Sequence, residues 1–433
     1  CMYYPDDEPW QEAIRSEAEY HLKRLRHHAC LALWCGNNEN LQMYEQRWSG
    51  VGTMPDRYFG GPLYDEVLPS VVEAVDPGRG YIASSPIGKA STGGDVNMDF
   101  FGDSHYWDVW HGRGDWKHYA DSKTRFSSEF GFASSCGLAA WQQAMPDITE
   151  FIRFSNDTIH SHNKTGKPWN TFLGYVEMHY PKCESLQDWV YFSQLNQRDA
   201  LRYGIEHFRT LEGCQGSLIW QANDCWPVQS WSVQDSTGWL KPAGFELKRL
   251  YADVLIATNY LPGEQELFVW ITNDSNAAIK GQLRADIVDS RSGETQSKVI
   301  WEGTVAAGDR PRVAALEVQD FNPNTTAIRL VAVGLSAADR WQFLAEPKDL
   351  QLRKPAISVN RRENTLNVTV QGFAPDLVVW DPDDHSNITA EQGGPAGWPP
   401  RTFVNQTVTY FANQPPHHLN LRWLGGTDVH IFE

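Results

Sequence analysis

Two glutamates in this chain stand where acid–base and nucleophilic chemistry could be done. The first closes the run Leu31-Ala-Leu-Trp-Cys-Gly-Asn-Asn-Glu39, a compact apolar segment that enters a tight turn. The second lies in Arg125-Phe-Ser-Ser-Glu129-Phe-Gly, again at the end of a strand-like segment. Two carboxylates brought together from different strands are the minimum apparatus for cleaving a glycosidic bond: one acts as acid and base, the other as nucleophile. Either glutamate alone would read as a surface carboxylate at a strand end. Two further segments carry polar and aromatic groups suited to a sugar pocket, Gly102-Asp-Ser-His105-Tyr106-Trp107 and Trp220-Gln-Ala-Asn223-Asp-Cys-Trp226-Pro227. Flat aromatic faces suit the apolar side of a pyranose, although Trp220 and Trp226 also suit a buried core, and a lone histidine such as His105 is most often structural.

These segments need elements to hold them. Trp10, Ile14, Ala18, Leu22 and Leu25 recur at helical spacing behind the acidic start Asp6, Asp7 and Glu8. A second helical stretch runs from Leu63 to Val75 and stops at Asp76-Pro77-Gly78, and a third from Trp189 to Leu211. Between them fall strand candidates at Leu31–Cys35, Tyr81–Ser84, Phe100–Trp107, Arg125–Phe130 and Ser217–Asn223. Strands alternating with helices indicate a parallel α/β sheet or barrel, whose active face is the C-terminal end of its strands. After Asp253 the texture changes to short β-branched and aromatic runs separated by polar turns, with a second such unit from Pro355. That is β-sandwich texture. The expected domains are residues 1–253, 254–353 and 354–433.

Composition narrows the partners. A net charge of -17 argues against nucleic acid and anionic membrane surfaces. No apolar run reaches membrane-spanning length. The 7 cysteines contain no CxxC pair, so no metal or other cofactor is expected, and Cys35 reads as an inert thiol. Sequons at Asn156, Asn163, Asn273, Asn324, Asn367, Asn387 and Asn405 are dense enough to suggest a secreted glycoprotein, with a lysosomal or vacuolar enzyme as the alternative.

The motifs Trp34-Cys-Gly-Asn-Asn-Glu39, Ser128-Glu129-Phe-Gly, Gly102-Asp-Ser-His-Tyr-Trp107 and Trp220-Gln-x-Asn-Asp-x-Trp-Pro227 together resemble the β-mannosidases of glycoside hydrolase family 2. Ser230-Trp-Ser-x-x-Asp235, Lys241-Pro242 and Glu346-Pro-Lys-Asp-Leu350 extend the resemblance over nearly the whole chain. It implies the C-terminal portion of a (β/α)8 TIM barrel followed by two immunoglobulin-like β-sandwich domains. It implies Glu39 as general acid/base, Asn38 as partner of the substrate 2-hydroxyl, Glu129 as nucleophile and Trp220 as a wall of the mannose subsite. His105, Tyr106 and Trp107 fall among the family's site residues, and Trp48, Asn223 and Trp226 are further pocket candidates. Glu39 must start protonated, so a poorly solvated setting and a neighbouring carboxylate are expected to raise its pKa. The implied substrate is a β-mannoside oligosaccharide cut from its non-reducing end. A β-galactosidase, a β-glucuronidase and a non-catalytic carbohydrate-binding fragment are the alternatives. Only five barrel strands can be placed, so the N-terminal part of the same precursor is expected to complete the barrel.

Overall fold

The computed structural model describes residues 3–48, 56–88, 95–145, 160–385 and 387–431. The chain folds as a mixed α/β protein of two units. The first comprises Cys1–Trp107, Asp121–Phe130 and Leu211–Ile219. The second comprises Asp108–Ala120, Gly131–Thr210 and Trp220–Glu433.

The first unit opens with helix α1, Glu8–Leu25. Asp7 caps it by accepting the Trp10 amide at 3.2 Å, and Lys23 and Arg24 face the negative end of the helix dipole. Its Leu22 packs against Val71, Val72 and Val75, the buried face of α3, Leu68–Val75. The helical stretch expected from Leu63 begins as a π-helical turn, Leu63–Val67, and tightens into α3. Two parallel ladders carry the functional segments. In one, β1 (Leu33–Cys35) pairs with β2 (Gly80–Ile82), with Trp34 beside Tyr81. Between them lie the short helix α2, Asn40–Glu45, and α3. In the other, β4 (Ser127–Phe130) is the middle strand between β3 (Ser104–Tyr106) and β5 (Ser217–Ile219). Four of the five strands fall inside the expected segments and β2 begins one residue early, at Gly80; all are three or four residues long. The last stops at Ile219, short of the expected Asn223.

In the second unit, α4 (Leu138–Ala144) and α5 (Trp169–Glu177) precede the long α6, Leu186–Thr210, against which α7 (Pro242–Leu250) packs. Several buried polar groups on α6 are satisfied internally. Gln197 donates to the carbonyls of Phe132, Trp231 and Ser232 at 2.9–3.0 Å. Beyond α7 every ladder is antiparallel. Strands β6 (Val254–Asn259), β7 (Glu266–Asn273) and β10 (Arg312–Glu317) form one sheet. Strands β8 (Ile279–Asp289), β9 (Thr295–Val305), β11 (Thr326–Val333) and β12 (Arg340–Phe343) form another. The two share a core that includes Ile256, Leu267, Val269, Leu283, Ile328 and Leu330. The last strands are β13 (Ala356–Arg362), β14 (Thr365–Trp380), β15 (Ile388–Thr389), β16 (Arg401–Ala412), β17 (His418–Trp423) and β18 (Gly426–Ile431). They are organised by β14, which pairs with β13, β16 and β17.

Buried charges join α6 to these sheets. Glu206 receives Arg249 from α7 and Arg340 from β12, and Arg198 pairs with Asp376 of β14. Burial alone would raise the Glu206 carboxyl, but the two guanidiniums outweigh it and hold the group well below the ordinary range. Among the described residues no helix is long and apolar enough to cross a membrane. Cys30, Cys35, Cys136 and Cys225 are free thiols.

Candidate active site

The turn after β1 is built to deliver Glu39. A Cβ on Gly36 would lie 2.4 Å from the Tyr81 hydroxyl and 2.6 Å from the Ala83 carbonyl, so only glycine lets this exit approach β2 so closely. Asn37 then staples the two strand ends together. Its amide donates to Ala83 O at 2.6 Å, and its side-chain oxygen accepts from Asn40 N at 3.0 Å and Ser84 Oγ at 2.8 Å. The Glu39 amide donates to Ser85 O at 2.7 Å. Glu39 itself sits in the left-handed region at φ 62. Such a conformation costs a non-glycine residue on the order of 1–3 kcal/mol and is found where surrounding contacts enforce it, often at functional sites.

Glu129 arrives from the middle strand β4, in register with His105 of β3. The His105 backbone is clamped by Asn97, whose side chain makes hydrogen bonds of 2.8 Å to both its N–H and its carbonyl. Three side chains therefore converge. His105 Nδ1 lies 2.7 Å from Glu39 Oε1 and 3.6 Å from Glu129 Oε2. One oxygen of each carboxyl and a ring nitrogen all fall within 4.8 Å of one another. Trp107 donates its indole N–H to Glu129 Oε1 at 2.9 Å.

The site is nearly dry: Glu39 and Glu129 each expose 9%, and His105 4%. Burial raises the Glu129 carboxyl above its ordinary value, and the charge of Glu39 adds to this. His105 and the Trp107 N–H oppose it. In a buried pair each carboxylate disfavours ionisation of the other. The Cys35 thiol is pushed up to about 11, chiefly by burial, which suits an inert role. The Glu39, His105 and Glu129 donor atoms are also close enough to hold a cation. Sequence spacing could not reveal that cluster, because the three residues lie on separate elements.

The other candidates are placed less centrally. Asn38 is exposed and lines a cavity of about 450 Å³ with Tyr4, Ile14, Glu17 and Tyr64. Tyr106 is half-buried and follows His105 in β3, so the pleat turns it to the opposite face. Trp48 is half-buried, its indole bonded to Gln46 at 3.0 Å. Trp220, Asn223 and Trp226 belong to the second unit, all on exposed positions, with Trp220 41% and Trp226 39% exposed. The core alternative for the two tryptophans therefore does not hold.

Two of the sequon asparagines are buried in the fold. Asn273 is fully buried, its amide nitrogen donating to the carbonyls of Ala277, Val305 and Ala306. Asn387 is buried, with its amide nitrogen on Asp381 and Gln414. A glycan on either nitrogen would displace these bonds. Asn156 lies outside the described residues.

Four contributors went unnoticed in the sequence: Ser85, Asn97, Asp103 and Ser128. Asp103 and Ser128 lie inside motifs already singled out, which was the available signal. Ser85 and Asn97 carry none.

No family model matches the chain. Its sequence is 27% identical over 332 residues to β-mannosidase B of Aspergillus fumigatus, covering 70% of this chain and 38% of that protein. It is 27% identical over 411 residues to β-mannosidase B of Aspergillus clavatus, covering 86% and 48%. The structure matches the β-D-mannosidase of Dictyoglomus thermophilum with a TM-score of 0.80 and 27% identity, over 100% of this chain and 52% of that one. The chain is homologous to the β-mannosidases. An exo-chitosanase of Amycolatopsis orientalis shares the fold at 14% identity and a TM-score of 0.64, over 99% of this chain and 55% of that one. This β-mannosidase homologue spans about half the length of the proteins it matches, or less.

Proposed function

We propose that this chain supplies the catalytic carboxylates of a retaining, exo-acting β-mannosidase that removes terminal β-D-mannose from oligosaccharides and glycoconjugates. The observation that carries the reading is the approach of Glu39 and Glu129 to within 4.8 Å in a dry site at the ends of parallel strands. Retaining enzymes hold their carboxyls about 5–5.5 Å apart, and inverting ones about 6.5–9.5 Å, to admit a water. Glu39 protonates the glycosidic oxygen while Glu129 attacks the anomeric carbon. Glu39 then takes a proton from the water that releases mannose. Trp107 supplies a hydrogen bond that favours the Glu129 anion. Asn38 is assigned to the 2-hydroxyl and Trp48 to a pocket wall, and Trp220, Asn223 and Trp226 are proposed sugar-contacting residues of the second unit.

The fold proposed around this site is a portion of a (β/α)8 barrel over residues 1–253, with β-sandwich domains over 254–353 and 354–433. Among the described residues β1 pairs only with β2, and β5 only with β4. Those free edges fit a barrel completed by an upstream part of the same precursor. Secretion, or a lysosomal or vacuolar site, is proposed from the remaining sequons, of which Asn405 is the most exposed.

A panel of nitrophenyl β-glycosides, followed by NMR of the first-formed sugar, tests the reading. The β-mannoside should be cleaved far faster than the β-glucoside, β-galactoside or β-glucuronide, releasing β-mannose first. Comparable rates on all four would remove the mannosidase assignment; initial α-mannose would remove the nucleophile.

A further inference from the structure

The proton that Glu39 must carry has its own positioning apparatus behind the carboxylates. Asp103 Oδ2 accepts the hydroxyls of both Ser85 and Ser128, at 2.5 Å each, and its Oδ1 accepts the Ile87 amide at 3.0 Å. A carboxylate can only accept, and a serine hydroxyl has one proton to give. With that proton spent on Asp103, Ser85 Oγ presents a lone pair to the His105 ring, whose Nε2 lies 3.0 Å away. Nε2 must then be the N–H nitrogen. In the neutral ring Nδ1 is consequently an acceptor, and it faces Glu39 Oε1 at 2.7 Å. The proton that fills this contact is the one on Glu39.

Resting on the glycosidase reading, we propose that Asp103 and Ser85 fix the tautomer of His105 so that its Nδ1 holds the catalytic proton on Glu39. His105, Ser85 and Asp103 are thus positioning residues for the acid/base. When the proton crosses from Glu39 Oε1 to Nδ1, the carboxylic acid becomes a carboxylate and the ring an imidazolium, with nothing gained or lost. The ring exposes 1% of its side chain and is held at both nitrogens, by Ser85 and by Glu39, on a backbone clamped by Asn97, so it does not turn to exchange its nitrogens. The charged groups facing it are Glu39 and Glu129 directly and Asp103 through Ser85; the Cys35 thiol near Asp103 is neutral. A buried carboxylate that dictates which imidazole nitrogen carries the proton is the arrangement that orients the base of serine hydrolases.

Asp103→Asn inverts the relay. The new amide can donate to Ser85, whose own proton then turns to Nε2 and moves the ring proton to Nδ1. Glu39 then faces a donor and is held ionised. Turnover of mannobiose, whose leaving group needs protonation, should fall by at least about tenfold more than that of 2,4-dinitrophenyl β-mannoside, whose leaving group does not. The alkaline limb of the mannobiose profile should move to lower pH, and Ser85→Ala should share the pattern at smaller size. Nitrogen-15 NMR of the ring, assigned by the signal lost in His105→Gln, should show Nε2–H in the resting protein and Nδ1–H in Asp103→Asn. The tautomer is read without turnover, so failure of the glycosidase reading leaves that half of the test intact. An Nδ1–H ring in the resting protein overturns the proposal whatever sugar is cleaved. Equal losses on the two substrates in both variants overturn it as well, because a merely structural role lowers both together.

Discussion

Trp107→Phe isolates a single hydrogen bond at the nucleophile. The indole N–H meets Glu129 Oε1 at 2.9 Å, and it is among the groups that oppose the rise imposed on this carboxyl by burial and by Glu39. Phenylalanine keeps most of the ring and removes only the donor. A hydrogen bond to a charged acceptor contributes about 1.5–3 kcal/mol, and the low exposure of this site leaves little water to replace it. At about 1.4 kcal/mol per pKa unit, the Glu129 carboxyl should rise by a further 1–2 units. The direction follows from the charge: the N–H favours the anion, so its loss favours the acid. The acid limb of kcat/KM reports the free enzyme's nucleophile and should move to higher pH by the same amount. A 2,4-dinitrophenyl β-mannoside is the substrate to use, since its leaving group needs no acid and keeps Glu39 out of the profile. An unmoved acid limb in a folded variant would refute the reasoning. A plateau lowered at every pH without displacement would instead assign Trp107 to the sugar.

Two predictions concern stability. The fold raises the Glu129 carboxyl above 4.5, so this group weakens the fold once pH exceeds its folded value, and the weakening fades as pH falls toward 4.5. Glu129→Gln should therefore melt higher than the parent at neutral pH, with the difference closing in acid; differential scanning fluorimetry across pH reads this directly, and a lower melting temperature at pH 7 would contradict it. Glu206 has the opposite sign: its carboxyl lies below 4.5, so its stabilisation is present above that pH and is lost as pH drops through the depressed value. Glu206→Gln leaves Arg249 and Arg340 buried without their counter-charge and should destabilise the second unit by about 3–5 kcal/mol at neutral pH in denaturant titrations, a deficit that narrows in acid.

The proposed catalytic pair was legible because each glutamate sits in a local motif: an apolar run, a turn and a carboxylate. The positions of β1 and β4 follow from that pattern alone. Helix α6 was equally plain, since a 25-residue amphipathic stretch leaves little choice. Local pattern does not record which residues from distant segments share a proton. Ser85 is an unremarked serine after a three-residue strand, yet its hydroxyl determines what His105 offers to Glu39. Asn97 lies in no motif and clamps the same histidine from outside any strand. Sequence assigns an acid and a nucleophile as separate roles, whereas in the folded site both carboxyls approach the same imidazole nitrogen, at 2.7 and 3.6 Å, and the indole N–H caps one of them. It follows that substrate can assign the two roles by entering between the carboxyls. A glycosidic oxygen placed beside Glu39 gives its proton a destination. The anomeric carbon beside Glu129 brings developing positive charge to the anion that burial alone disfavours.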